Sequence, residues 1–196
     1  MTDCLLIIFV KNPVKGKVKT RLAATIGPEK ALEIYLKLID YTIAITKELP
    51  IDQVVFYSEY IEKNDDWDTT VYQKQLQAKG DLGAKMLGAF EWGFSAGYEK
   101  ICIIGSDCLE LTPETIIDGF QVLGDHDAVV GPTRDGGYYQ LGMKKLHKEF
   151  FQNKNWGTDS VCTDTIRDFK SLGLSFHQMK ILNDVDVEQD LEGYEL

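Results

Sequence analysis

The feature of the sequence most suited to chemistry is a basic segment without a single acidic residue. Between positions 11 and 28 lie five of the 21 lysines and arginines of the chain, namely Lys11, Lys15, Lys17, Lys19 and Arg21. Cationic side chains this close repel one another unless they face water or meet an anion. Together with backbone N–H groups near Gly16, they predict a phosphate-binding loop. A solvated surface loop is the alternative.

Two familiar phosphate-binding motifs are excluded in this segment. A P-loop needs a second glycine five residues upstream and a serine or threonine after the lysine, whereas Gly16-Lys17 is followed by Val18. The dinucleotide-binding pattern G-x-G-x-x-G is also absent. The sequence therefore predicts neither an ordinary P-loop kinase or ATPase nor a typical NAD enzyme.

Acidic residues in two other segments are candidate ligands of a metal ion. Asp107 follows a short apolar run, and a carboxylate at the end of a buried strand is well placed to bind Mg²⁺ or Mn²⁺ beside a phosphate. An aspartate that caps a turn is the alternative for this residue. Asp186, and less strongly Asp184, is a candidate second ligand. Glu188 and Asp190 fit a first helical turn, where acidic residues are favoured by the helix dipole.

Composition narrows the class of protein further. The 196 residues include 44% apolar and 27% charged residues, which indicates one globular domain over 1–196. A net charge of −10 disfavours a nucleic-acid partner. We expect a cytoplasmic protein with reduced thiols, because no apolar run is long enough to span a membrane, the N-terminus is unlike a signal peptide and no C-x-x-C pair occurs. The three histidines lie in no catalytic pattern, and nothing in the sequence indicates an oligomeric state.

Alternating strand and helix patterns must position these residues. Strands are predicted at 4–10, 52–58, 70–73, 100–105, 127–132, 138–143 and 175–182, and helices at 28–49, 82–96, 112–123 and 158–172. Such alternation predicts a mostly parallel sheet covered by helices on both faces. Ligands bind such sheets at the carboxyl ends of the strands. The polar clusters after residues 10, 105 and 182 are therefore expected to meet.

Taken together, the motifs resemble those of the nucleotide-diphospho-sugar transferase (GT-A) superfamily over nearly the whole chain. The sequence is most similar to a family of small bacterial GT-A-like transferases related to molybdenum-cofactor guanylyltransferase and phospholactate guanylyltransferase. The matching stretches are FVKNP at 9–13, GKVKTRL at 16–22, GDLG at 80–83, GSDC at 105–108, GP at 131–132, DGGYY at 135–139, WGT at 156–158 and DVD at 184–186. The resemblance implies a three-layer αβα sandwich with a mostly parallel mixed sheet.

The resemblance also implies roles for individual residues. Phosphates would be held by Lys11, Lys19 and Arg21, and the metal ion, Mg²⁺ or Mn²⁺, by Asp107 and Asp186. The nucleotide-binding set also includes Gly16, Gln77, Gly80, Leu82 and Gly83. The acceptor-binding set is Asp135, Gly136, Gly137, Tyr138, Trp156 and Thr158. The sequence departs from the family at Lys15 and Leu109, where proline is usual, and at Lys85, which replaces an arginine and cannot make a bidentate contact to phosphate.

Three functions fit this set of residues. In the first, a phosphorylated acceptor attacks a nucleoside triphosphate, with Lys19, Arg21 and Asp107 as catalytic residues and no general base. In the second, a glycosyl group passes from a nucleotide sugar to a hydroxyl acceptor, and Asp135 is the candidate base. In the third, the protein binds a nucleotide without turnover. The partners in all three are small molecules, and the first function is the preferred prediction.

Overall fold

The fold is centred on one seven-stranded mixed sheet. The computed structural model describes residues 3–194. The strands are β1 (Cys4–Val10), β2 (Asp52–Tyr57), β3 (Tyr72–Leu76), β4 (Lys100–Ile104), β5 (Ala128–Pro132), β6 (Tyr138–Met143) and β7 (Phe176–Gln178). Their order across the sheet is β3-β2-β1-β4-β6-β5-β7. The prediction of a mostly parallel mixed sheet is confirmed.

Strand direction decides where the chemistry-bearing loops emerge. β1 pairs in parallel with β2 and β4, and β7 pairs in parallel with β5. Among the described strands only β6 is antiparallel to its neighbours. The segments after β1, β4, β5 and β7 therefore all leave the sheet at the same edge, as the sequence predicts for the clusters after residues 10, 105 and 182.

Helices cover both faces of the sheet. The α-helices are α1 (Thr20–Ile26), α2 (Pro28–Thr46), α3 (Leu82–Ser95), α4 (Pro113–Val122) and α5 (Val161–Ser171). Side chains along β1 alternate between the faces: Leu6 and Ile8 pack with α1, α2 and α4, whereas Leu5 and Ile7 pack with α3 and α5. All four side chains are fully buried. This alternation produces the three αβα layers.

Several predicted helix boundaries are confirmed by their caps. Pro28 occupies the first turn of α2, where its missing N–H has no helical partner to lose. Thr112 Oγ1 accepts a hydrogen bond from Thr115 N at 3.2 Å at the start of α4. Gly97, with φ of 94°, follows α3. These local signals are readable from sequence because each depends on one residue type at one position.

Other predicted boundaries are wrong, each for a local reason. The segment 11–22 is not all loop, because α1 begins at Thr20. The third strand begins at Tyr72, since the backbone N–H groups of Val71 and Tyr72 donate to Asp68 O. α5 begins at Val161 rather than 158. The last strand is only three residues long, since it pairs with β5 only at Ala128, Val129 and Val130. Beyond it, only an isolated bridge joins Thr133 to Leu182.

Within residues 3–194, no helix is both long enough and apolar enough to cross a bilayer.

Candidate functional site

The carboxyl ends of β1 and β4 open into a cleft of about 1120 Å³. Its wall combines apolar side chains with charged groups of both signs. The cations that line it are Lys11, Lys17, Lys19, Arg21 and Lys85, and the carboxylates are Glu59, Asp107 and Asp186. The basic loop and the two predicted metal ligands therefore share one cavity.

Lys19 lies at the centre of the charged part of this cleft. Its Nζ donates to Asp107 Oδ2 at 2.9 Å and to Asp186 Oδ1 at 3.1 Å. Arg21 Nη1 donates to Asp186 Oδ2 at 3.2 Å. The side chain of Lys19 is only 6% exposed, whereas those of Asp107 and Asp186 are about one-third exposed. The two carboxylates predicted to hold a metal thus share one buried ammonium in the structure.

The charges at this contact stabilise one another. Burial alone would lower the pKa of Lys19, but the nearby carboxylates of Asp107 and Asp186 raise it above its usual value. Burial alone would likewise raise the pKa of Asp107, but the Lys19 ammonium outweighs it and lowers that pKa. Both groups are therefore charged at neutral pH.

The acidic segment after β7 is held against the β4 end by its backbone. Val185 N donates to Asp107 O at 2.8 Å. Asp190 Oδ2 accepts from Asp186 N at 2.9 Å and from Val187 N at 2.8 Å. The interpretation of Asp190 as a residue at a helix start agrees with this geometry, because Asp190 belongs to the 3-10 helix Glu188–Leu191. Asp190 thereby holds the backbone of Asp186 and Val187 in place.

Three carboxylates, one of them that of Asp186, lie close together at this edge of the sheet. Oxygen atoms of Asp135, Asp184 and Asp186 all lie within 4.8 Å of one another. Burial, followed by the charges of Asp107, Asp135 and Asp186, raises the pKa of Asp184 to about 7. Hard oxygen ligands at this spacing suit Mg²⁺ or Mn²⁺, for which opposite ligands are roughly 4.2 Å apart. The donor set therefore fits a divalent cation, with Asp186 shared between this group and the Lys19 contact.

Some of the other residues of the basic loop line the cleft, and others lie outside it. Lys15 pairs with Glu29 of α2 and is not among the residues that line the cleft. Gly16 has φ of 77° in a turn closed by a bond from Lys17 N to Val14 O. Glycine adopts this left-handed conformation without steric penalty. Four of the five basic side chains of the loop therefore face the cleft.

Buried polar residues missed by the sequence reasoning hold the opposite wall of the cleft. Tyr35 OH accepts from Lys11 N at 2.8 Å and so ties the basic loop to α2. Asn12 Oδ1 accepts from Glu59 N at 2.9 Å and from Tyr60 N at 3.3 Å. Asn12 lies within the FVKNP stretch, and a buried asparagine in a polar loop is a signal for such a role. The loop after β2 is thereby fixed, with the half-exposed Tyr60 ring at the rim.

The predicted nucleobase segment borders the same cleft. Gln77 is buried, and its Nε2 donates to Val10 O at 3.2 Å and to Phe56 O at 3.0 Å. Leu82 is exposed and lines the cleft. Gly80 has φ of 119° before the first turn of α3. The amide hydrogens of Gln77 are thus used within the protein, which leaves its carbonyl oxygen for any contact with a ligand.

Gly83 and Trp156 form a close contact at the start of α3. A Cβ at Gly83 would lie 2.7 Å from Trp156 Nε1 and 2.4 Å from Phe151 O. Trp156 also lines the cleft. Glycine at 83 is therefore required for the indole to pack here, whatever its role toward a nucleotide.

The predicted acceptor residues are only partly brought together. Asp135 Oδ1 accepts from Thr133 Oγ1 and from Gly137 N at 3.0 Å, in the turn between β5 and β6. Tyr138 packs among apolar residues, with its OH 3.6 Å from Met86 Sδ. Thr158 Oγ1 donates to Asn155 O at 2.8 Å. Asp135 joins the acidic group, whereas the hydroxyls of Tyr138 and Thr158 contact the protein itself.

The backbone at Gly136 lies very close to the backbone of Asp159. It has φ of 89°, and a Cβ there would lie 2.1 Å from Asp159 O. We expect Gly136→Ala to lower the free energy of unfolding by about 2–3 kcal/mol, because left-handed strain adds to a backbone clash. Thermal unfolding should show a melting temperature lower by about 5–10 °C.

Gly157→Ala is the matched control for Gly136→Ala. Gly157 has φ of 82° but no atom within 4 Å of a Cβ. Only the strain of about 1 kcal/mol then remains. Equal melting temperatures for the two variants would show that the contact between Gly136 and Asp159 is unimportant.

Cysteine and histidine take no part in this cleft. Cys108 is buried, its Sγ donates to Asn183 O at 3.3 Å, and burial raises its pKa to about 12. A thiol so hard to deprotonate is no nucleophile. His126 and His177 contact each other through their rings, and neither lines the cleft. The charged groups that line the cleft are carboxylates, ammonium groups and a guanidinium group.

Comparison with known proteins agrees with this fold. A protein of Desulfovibrio desulfuricans G20, provisionally described as a nucleotide-diphospho-sugar transferase, is 29% identical, with a TM-score of 0.88 over 97% of this chain and 85% of that one. The chain thus has the nucleotide-diphospho-sugar transferase fold.

Residues 42–158 match the model of a bacterial family described as "Uncharacterized protein conserved in bacteria (DUF2064)". The chain belongs to that family. The sequence has no match among curated proteins.

Two more distant structures share the fold alone. The 4-diphosphocytidyl-2C-methyl-D-erythritol synthase of Anaerococcus prevotii DSM 20548 is 11% identical, with a TM-score of 0.58 over 96% of this chain and 94% of that one. Rv0371c of Mycobacterium tuberculosis H37Rv, in complex with manganese, is 10% identical, with a TM-score of 0.56 over 96% of both chains. Kinship with the molybdenum-cofactor and phospholactate guanylyltransferases stays a prediction.

Proposed function

We propose that the protein is a metal-dependent nucleotidyltransferase: an oxygen of a phosphorylated acceptor bonds to the α-phosphorus of a nucleoside triphosphate, and pyrophosphate leaves from that phosphorus. The observation that carries the proposal is the meeting of opposite charges at Lys19. Its ammonium lies between Asp107 and Asp186, in a cleft that four other cations line. A phosphate chain with a divalent cation is a ligand that satisfies both signs of charge.

The cations of the cleft act on the phosphate chain in this proposal. Lys11, Lys19 and Arg21 bind the phosphate oxygens and neutralise the charge that develops on the leaving pyrophosphate. Five cations match a triphosphate better than a diphosphate. A phosphorylated acceptor is already anionic, so the reaction needs no general base. The remoteness of the histidines from the cleft is consistent with this feature.

The carboxylates hold the cation in this proposal. Asp186 contributes one ligand, Asp107 is the second ligand implied by the family resemblance, and oxygens of Asp135 and Asp184 lie within 4.8 Å of an oxygen of Asp186. Bound Mg²⁺ or Mn²⁺ would supply electrostatic stabilisation of phosphate oxygens. The manganese complex of Rv0371c supports the choice of ion only as an example of what this fold can accommodate.

Base and acceptor lie on either side of the phosphates in this proposal. The wall with Gln77, Leu82 and Tyr60 accommodates the nucleobase, and an exposed aromatic ring there offers a stacking surface. The side with Asp135 and Gly137 accommodates the acceptor, whereas Trp156 packs on Gly83 beside the nucleobase segment. The diphosphocytidyl product named for the Anaerococcus protein is an example of nucleotide chemistry on the same fold.

Pyrophosphate release tests the proposal. The protein is incubated with Mg²⁺, each nucleoside triphosphate in turn and a panel of phosphorylated small molecules. We expect pyrophosphate only when triphosphate, acceptor and metal are all present. The proposal fails if no triphosphate binds in the presence of Mg²⁺ and none releases pyrophosphate.

Glycosyl transfer is the second candidate function, and the position of Asp135 favours it. Its carboxylate lies beside Asp186, where a base for a hydroxyl acceptor would be needed. Free nucleoside diphosphate released from a nucleotide sugar would identify this reaction. Tight binding of a nucleotide with neither product would instead indicate a sensor.

A further inference from the structure

Lys19 occupies the position that a bound cation would be expected to occupy. Its Nζ lies 2.9 Å from Asp107 and 3.1 Å from Asp186, and carboxylate oxygens of Asp186, Asp135 and Asp184 lie within 4.8 Å of one another. The ammonium is nearly inaccessible to solvent, with 6% of the side chain exposed. A second cation cannot use both carboxylates while the ammonium is between them, because like charges at contact distance repel.

The backbone of Lys19 has a strained conformation that its contacts must maintain. Lys19 has φ of 44° and ψ of 49° immediately before α1. A residue with a Cβ adopts this left-handed conformation at a penalty of about 1–2 kcal/mol. Such strain persists only where surrounding contacts determine it. The two ion pairs of Lys19, together with the hydrogen bond from Ala23 N to Lys19 O at 2.8 Å, are contacts of this kind.

Charge pairing at the site changes if only one ligand enters. A free divalent cation would displace Lys19 and leave its ammonium unpaired beside Arg21. A free phosphate chain would bind Lys19 and leave Asp107 without its ammonium beside Asp184, with only Arg21 still paired to Asp186. When both enter together, the phosphates pair with Lys19 and the cation pairs with the carboxylates. Every charge then keeps a partner, which is the condition for burying ions at low energetic penalty.

We infer that Lys19 is an internal cation that metal and phosphate chain displace together, so that the protein takes the metal–nucleotide complex in preference to either component alone. This inference rests on the proposed function and deepens it by naming the form of the substrate. Lys19 then has two partners in turn: the carboxylates before binding and the phosphates after it. Binding of metal and of nucleotide is positively coupled as a result.

Binding of free Mn²⁺ to Lys19→Met tests the inference without any turnover. Mn²⁺ binding is measured by electron paramagnetic resonance with no nucleotide or phosphate present. We expect the variant to bind free Mn²⁺ at least about tenfold more tightly than the wild type, because no ammonium competes. Inorganic tripolyphosphate, measured by calorimetry, should bind the variant at least about tenfold more weakly.

Lys15→Met is the matched control, because it removes one charge from the same loop outside the cleft. It should bind Mn²⁺ like the wild type. Circular dichroism shows whether Lys19→Met is folded, and Lys19→Gln, which keeps a polar side chain, carries the same expectation if it is not. Equal or weaker Mn²⁺ binding by folded Lys19 variants would overturn the inference.

The two proposals fail in different ways. Tight binding of a metal–nucleotide complex by the wild type, with unchanged free Mn²⁺ binding in the Lys19 variants, would refute only the exchange of partners. Tighter Mn²⁺ binding by the variants, with no nucleotide bound by the wild type in any metal, would support the role of Lys19 as an internal cation and refute the proposed function.

Discussion

Asp107→Asn should reduce metal-dependent turnover by about a thousandfold while the protein stays folded. Asparagine keeps the shape of the side chain and an oxygen for Lys19, but it loses the charge that a divalent cation needs. The Lys19 ammonium, which lies 2.9 Å from Asp107, keeps Asp186 as a partner. Turnover is measured as pyrophosphate release, and folding as thermal unfolding without metal.

Asp40→Asn is the control for this change, because Asp40 is exposed on α2. This substitution also removes one negative charge, but at a position outside the cleft, and it should leave turnover unaffected. Full activity of Asp107→Asn would refute a role of Asp107 in binding the cation. Loss of folding instead would indicate that its contact with Lys19 is structural.

Asp184→Asn should stabilise the metal-free protein and at the same time abolish its stabilisation by metal. Burial and the charges of Asp107, Asp135 and Asp186 all disfavour a carboxylate at this position and raise its pKa to about 7. At pH 8 without metal, the neutral amide should raise the melting temperature by a few degrees. Mn²⁺ added together with inorganic tripolyphosphate should raise the melting temperature of the wild type but leave that of the variant nearly unchanged.

Glu188→Gln provides the comparison within the same segment. Glu188 is exposed and outside the group formed by Asp135, Asp184 and Asp186. Both its metal-free melting temperature and its response to Mn²⁺ should match the wild type. A metal response that survives in Asp184→Asn would exclude that carboxylate as a ligand.

Much of the fold could be predicted from the pattern of apolar residues and from the positions at which strands end. The apolar run 4–10 predicts a buried strand, and Thr112 followed by proline predicts the start of a helix; both are confirmed. Because parallel strands end at one edge, the meeting of the basic loop with Asp107 and Asp186 could also be predicted. These features depend on local residue types and on one general rule of sheet topology.

Contacts between distant residues could not be predicted in the same way. Nothing in the pattern around Lys19 indicates a left-handed backbone or an ammonium shared by two carboxylates. Gly136 fits a substrate-facing loop by motif, yet its neighbour in space is Asp159. The buried Asn12 organises a loop 46 or more residues away. Such details depend on tertiary packing, which one sequence does not specify locally.

Binding of nucleoside triphosphates to the wild type, with and without divalent metal, tests the central claim most directly. Isothermal titration calorimetry with non-hydrolysable triphosphates in Mg²⁺, then with the metal chelated, gives both affinities. We predict saturable binding in Mg²⁺ that weakens at least about tenfold on chelation, because the carboxylates then lack a cation to join them to the phosphates. Affinity that is equal in both conditions, or absent in both, would contradict the account.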